Sequence, residues 1–106
     1  MEGLELICFQ IISASGGAKS AFMAAIEAAK EGNFEEAEEM IHQGDEYMNQ
    51  GHEPHAKLIQ AEASGNPTDV NLLLLHAEDQ MMGAEQFKVL AEQMIDLYKE
   101  LNKLKG

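Results

Sequence analysis

Apolar residues recur along this chain at three- and four-residue intervals, and sustained strict alternation of apolar with polar positions is missing. The first spacing marks one face of an α-helix and the second would mark a half-buried strand, so the pattern predicts helices and no sheet. Glycine and proline divide the chain into three segments, at about residues 4–31, 34–64 and 68–103. Gly32-Asn33 closes the first as a C-cap and turn. Glu35, Glu36 and Glu38 suit the positive end of the second helix dipole, and Ser64-Gly65-Asn66-Pro67 ends that helix. Thr68 or Asp69 is the expected N-cap of the third, and Lys99, Lys103 and Lys105 gather at its C-terminal end, where cations are favoured. Two places strain the pattern. Gly16-Gly17 lies inside helix 1, where close approach of a neighbouring backbone would justify the loss of helix propensity. Pro54 lies inside helix 2 and predicts a kink near residues 51–54, or two helices meeting near His52. Short turns between long helices make an antiparallel up-down-up bundle, an all-α single domain over residues 1–106. Helices this long leave apolar residues uncovered in one copy, which argues for self-association.

Composition narrows the function. The chain has 106 residues, 45% of them hydrophobic, enough for one modest core and too few for two. Seven Lys+Arg face nineteen Asp+Glu, for a net charge of −12. So acidic a surface lacks the cations to neutralise nucleic-acid phosphates and is repelled by anionic membranes. The single Cys excludes an internal disulfide framework and a four-Cys zinc site, and points to a reducing, cytoplasmic compartment. The early charges are acidic where a secretory signal would begin with cations. The apolar run over residues 6–12 is far shorter than a membrane helix, so no insertion into a membrane is expected.

Helix 3 carries the chemistry. Leu72-Leu73-Leu74-Leu75 predicts a turn buried on most sides. One helical stripe then reads Leu72, Leu75, Asp79, Met82, Gln86, Leu90, Gln93, Leu97. A monomer core rarely buries that many polar groups, and a solvent face rarely carries so much Leu and Met. A helix–helix interface around a symmetry axis fits both, because Gln can pair with its copies there. Copies of Asp79 meeting on an axis would repel unless protons or a cation neutralised them, and a hard cation such as Mg²⁺ takes oxygen ligands. An exposed Asp79 with no ligand is the alternative. His76 stands one turn before Asp79, and an imidazole between an apolar patch and an acidic cluster can be a nucleophile, a metal ligand or a hydrogen-bonded structural residue.

Other motifs carry less. Ser15-Gly16-Gly17-Ala18-Lys19-Ser20 lacks the glycine spacing and the preceding strand of a phosphate-binding loop. Glu39-Met40-Ile41-His42 has the spacing of a di-iron ligand pair without the second pair such a site needs, so His42 is expected to face solvent. His52-Glu53-Pro54-His55 is at most half a metal site. Cys8 sits in an apolar run with no adjacent cation and is expected to be a buried, inert thiol.

These residues together resemble the lactose/cellobiose-type IIA components of the bacterial phosphoenolpyruvate-dependent sugar phosphotransferase system. The resemblance runs through Gly16-Gly17-Ala18-Lys19-Ser20, the turn Gly32-Asn33-Phe34, His52, Leu58-Ile59 and Glu62-Ala63-Ser64-Gly65. Its strongest element is His76-Ala77-Glu78-Asp79-Gln80-Met81-Met82, against the family's His-Ala-Gln-Asp-His-Leu-Met. The resemblance implies a homotrimer of three-helix bundles. It implies that His76 accepts a phosphoryl group from phospho-HPr and passes it to a Cys of the cognate IIB protein, and that Asp79 holds one Mg²⁺ per trimer on the three-fold axis. It implies a cytoplasmic phosphocarrier serving uptake of a β-linked disaccharide of the cellobiose, diacetylchitobiose or lactose type. Lys19, His52 and His55 are then candidates for donors to the transferring oxygens. The chain departs from the family at Glu78 and Gln80, which replace Gln and His, and at His55, where Gln is usual. The paired exchange predicts that residues 55 and 80 approach each other in the trimer and keep one imidazole and one amide beside His76. Outside the family, the same residues would suit a non-catalytic oligomeric scaffold or a metal-binding bundle.

Overall fold

Small residues decide which helix lies in the middle. The first helix, α1 (Gly3–Lys30), buries Ala14, Ala18, Ala21, Ala25, Ala28 and Ala29 together with Cys8, Ile11, Phe22 and Ile26. With side chains this short on most sides, α1 accepts a neighbour on each flank: α2 (Phe34–Ala63) on one and α3 (Leu72–Leu104) on the other. The computed structural model describes residues 3–105, and within them α2 and α3 meet each other only sparsely. Gly17 lies against Tyr47, Gly44 against Phe22 and Gly51 against Ala14, so α2 runs antiparallel to α1. Cys8 and Ile11 pack with Leu74, Ala77 and Met81, and Ala25 with Ile95, so α3 runs parallel to α1. The result is an all-α up-down-up bundle drawn out to 59 × 22 × 20 Å.

The central position also explains the composition of α1. Its length and apolarity would suffice to cross a membrane, which the short run over residues 6–12 does not convey. Its fully buried residues Ile11, Phe22 and Cys8 show what that apolarity does, which is to fill the core between two flanking helices.

Both connections use one C-cap. Gly32 (φ +86°) and Gly65 (φ +88°) take the left-handed conformation that glycine adopts without steric cost. The amides of Asn33 and Asn66 reach back to the carbonyls of Ala28 and Ala61, and those of Gly32 and Gly65 to Ala29 and Glu62. This is the Schellman arrangement, which satisfies carbonyls the helix end would otherwise orphan.

Four sequence expectations change. The N-cap of α3 is Asn71, whose side chain accepts from the Leu74 amide at 2.8 Å, and Thr68 and Asp69 lie in the connection before it. Of the two outcomes expected at Pro54, two separate helices are replaced by one: α2 continues through Pro54, with Pro54 buried and Gly51 keeping the neighbouring turn slim against Ala14. Gly17 is approached by the ring of Tyr47, where a Cβ would stand 2.6 Å from Cδ1, and not by a backbone; Gly16 faces open space. Of the four leucines opening α3, only Leu74 is buried, Leu73 is half-buried, and Leu72 and Leu75 are exposed. The reason is that α3 has α1 along one side and little on the other.

Candidate functional site

His76 stands in the second turn of α3, just past the Asn71 cap, and its side chain is exposed. The helical period sorts its neighbours. Ala77, Met81 and Ala84 face the core and are buried, whereas Leu72, Leu75, Asp79, Met82, Gln86, Leu90, Gln93 and Leu97 are all exposed. The stripe read from the sequence is therefore a continuous uncovered face of α3, on which Leu72 is 82% and Leu97 58% exposed. His76 lies at the border of that face, and Gln80, one turn later, lies on the side toward α1.

The other candidate residues divide into pairs. Lys19, half-buried on α1, donates from Nζ to Oε1 of Gln80 at 2.9 Å. The half-buried His55 brings Nε2 to 2.8 Å and 3.0 Å from the two carboxylate oxygens of Glu78. His52 Nε2 is 3.2 Å from Glu85 Oε1, in a more exposed setting. Asp45–Lys88 at 2.7 Å and Glu38–Lys99 at 3.7 Å continue the row, so polar pairs bridge α2 and α3 where apolar contact is thin.

These pairs redraw the sequence picture at two points. Within the chain, His55 and Gln80 have different partners: His55 pairs with Glu78 across α2 and α3, and Gln80 accepts from Lys19 on α1. The residue His55 meets is Glu78. The extra negative charge at Glu78 is thereby set against an imidazole. No sequence rule pairs residues on separate helices without knowing the rotation of each, which is why Glu78 and Glu85 were not legible as partners.

The remaining expectations concern exposure and chemistry. His42 is exposed and lines a groove of about 340 Å³ with Glu38, Asp45, Glu92 and Asp96. Cys8 is fully buried, and burial, with a smaller contribution from the Glu78 carboxylate, pushes its thiol pKa up, which suits an inert thiol. Asp79 is exposed and makes no ion pair among the described residues. No group of three or more His, Cys, Asp and Glu that could hold a metal occurs among the described residues, so one chain offers Asp79 as a single carboxylate ligand.

Known proteins share both sequence and shape with this chain. The family model for "PTS system, Lactose/Cellobiose specific IIA subunit" matches residues 6–99. A lichenan-specific phosphotransferase enzyme IIA component of Bacillus subtilis is 39% identical over 105 residues, covering 99% of this chain and 96% of that protein. The crystal structure of a cellobiose-specific enzyme IIA from Bacillus anthracis superposes with a TM-score of 0.94 at 43% identity, over 100% of this chain and 96% of that one. The IIA(chitobiose) of Escherichia coli, solved in solution as a complex with HPr, superposes with a TM-score of 0.82 at 32% identity, over 96% and 99% of the two chains. The chain belongs to the lactose/cellobiose-specific IIA family of the phosphotransferase system.

Proposed function

We propose that this IIA component is a cytoplasmic phosphocarrier that takes a phosphoryl group onto His76 from phospho-HPr and hands it to a cysteine of a cognate IIB protein. The sugar served is a β-linked disaccharide of the cellobiose, diacetylchitobiose or lactose type, in keeping with the relatives. The observation that carries the reading is the contrast among the four histidines. His52 and His55 are held by glutamates, and His42 sits in a groove whose four carboxylates outnumber its one lysine, Lys99, and repel an anionic donor. His76 alone combines an exposed imidazole with an apolar rim, Leu72 and Leu75, suited to a protein partner, and with the Lys19–Gln80 pair one turn away.

The chemistry needs little from the protein. A neutral imidazole nitrogen attacks phosphorus in line, the new N–P bond forms, and the bond from phosphorus to the donor breaks with its electron pair leaving on the donor. In the second transfer a cysteine thiolate attacks phosphorus, and the N–P electrons return to the imidazole. Both steps depend on positioning, which the rigid start of α3 supplies, and on donors near the transferring oxygens.

The uncovered stripe of α3 supports a homotrimer in which this face is buried around a three-fold axis, with Gln86 and Gln93 pairing with their copies. In that arrangement three copies of Asp79 supply carboxylate oxygens to one Mg²⁺, which offsets their mutual repulsion. The donor set fits, since Asp79 is exposed in the stripe and free of any ion pair among the described residues.

Incubation with phosphoenolpyruvate, enzyme I and HPr tests the carrier role. One acid-labile phosphate per chain is expected, retained in His52→Ala and His55→Ala and lost in His76→Ala. Undiminished labelling of His76→Ala would overturn the assignment.

A further inference from the structure

The amide of Gln80 has only one orientation compatible with its neighbour. An ammonium donates and cannot accept, so the group that Lys19 Nζ meets at 2.9 Å must be the amide oxygen. The amide nitrogen, with both of its hydrogens, must then point the other way. Gly83 shows which way that is. A Cβ built at Gly83 would stand 3.4 Å from Lys19 Nζ and 3.6 Å from its Cε, so the ammonium sits on the side of Gln80 toward the following turn. With the oxygen held on that side, the NH₂ group is available to the preceding turn, which is that of His76. Helix geometry closes the gap, because residues four apart are neighbours on a helix surface and helical side chains lean toward the N-terminus. Gln80 therefore leans back over the turn that carries His76.

We propose that Lys19 acts as a positioning residue. It fixes the Gln80 amide so that its NH₂ donates to the transferring phosphoryl oxygens at His76 and remains as a donor to the phosphohistidine. This inference rests on His76 being the phosphoacceptor. Donation changes no covalent bond, so the transfer keeps the balance written above, and the amide neither gains nor loses a proton. Lys19 itself is spent on the amide oxygen, so its charge reaches the reaction through Gln80. The arrangement suits this acidic chain, since it places two oriented donors next to an incoming anion while Glu78 is turned toward His55. The short side of Gly83 keeps the ammonium in place, and a larger residue there would take its volume.

The test is a single-turnover measurement of phosphoryl transfer from phospho-HPr to the full-length chain. Gln80→Glu keeps the shape and the Lys19 contact but removes the donors, and Lys19→Met keeps the stem but frees the amide to rotate. Loss of one oriented donor to a charge-bearing oxygen slows such steps by about 10²-fold. Gln80→Glu is expected to be slowed by about that factor, and Lys19→Met by about tenfold, with final stoichiometry at His76 unchanged in both. Because Lys19 works through Gln80, the double variant should be no slower than Gln80→Glu alone. Lys19→Arg should restore most of the rate, as a guanidinium also donates to the amide oxygen. Wild-type rates in Gln80→Glu, or independent and multiplying losses in the double variant, would overturn the proposal. If Lys19→Met loses its helical circular dichroism, the comparison of Gln80→Glu with wild type decides alone, since its charge is opposite to that of Lys19 and holds the pair together. Failure of the carrier role itself reads differently, because the wild-type chain would then take no label at His76.

Discussion

At the residue scale, the sequence exposes single positions and hides their partners. His76 and Asp79 could be singled out because both lie within one helix, where spacing fixes the face each occupies. The glutamates opposite His52 and His55 depend on how α2 and α3 are rotated against each other, and spacing within one helix says nothing of that. The same limit hid the Lys88–Asp45 pair, in which the carboxylate holds the Lys88 ammonium above its ordinary pKa of 10.5. A folded pKa raised above the unfolded one contributes stability that is complete below about pH 10.5 and fades as pH rises through the folded value. A partly exposed pair of this kind contributes about 0.5–1 kcal/mol. Lys88→Met should therefore lower stability by about that amount at pH 7, and urea unfolding should show the gap between variant and wild type closing as pH rises past the ordinary lysine value of 10.5. A gap that persists unchanged into that range would mean that packing of the lysine stem, not its charge, supplies the difference.

At the element scale, helix identity and order were legible and one boundary was not. The stops at Gly32 and Gly65 were clear because only glycine takes their positive φ cheaply. The start of α3 was ambiguous because Thr68, Asp69 and Asn71 are all good cap residues, and local chemistry does not choose among them. Packing chooses. Leu74 and Ala77 must reach Cys8 and Ile11, and a helix that begins at Leu72 presents them there. At Pro54, of the two expected outcomes, separate helices meeting near His52 do not occur: α2 is continuous, and its burial against α1 offsets the local penalty of a missing amide. Asn71→Ala removes the cap acceptor of the Leu74 amide and should cost about 1 kcal/mol in chemical denaturation. Thr68→Ala and Asp69→Ala should cost much less, and an equal loss at Asp69 would place the cap where the sequence first put it. Because the cap lies one turn before His76, Asn71→Ala should also slow phosphoryl transfer by more than its stability loss explains.

At the scale of the whole molecule, one face of α3 packs on α1 and the opposite face is uncovered along the rod. Leu72, Leu75, Met82, Leu90 and Leu97 expose an apolar row on α3, which suits the proposed trimer face. Asp79 sits in it as the one charged residue, beside the neutral Gln86 and Gln93. Asp79→Leu should leave a trimer in sedimentation velocity, held by the apolar row, while metal analysis finds the bound Mg²⁺ gone. Metal content equal to wild type would refute the axial site, and a monomeric wild-type protein would refute the assembly. The net charge of −12 bears on the same scale. It leaves few cations to neutralise nucleic-acid phosphates and suits encounter with a protein whose docking face is basic.

The central claim is that one histidine of four carries the phosphoryl group, and site mapping tests it most directly. The chain is phosphorylated through enzyme I and HPr, digested at neutral pH or above to preserve the phosphoramidate, and sequenced by mass spectrometry. A single phosphate on His76 is expected, with His42, His52 and His55 unmodified. Phosphate on any of those three, with His76 bare, would contradict it.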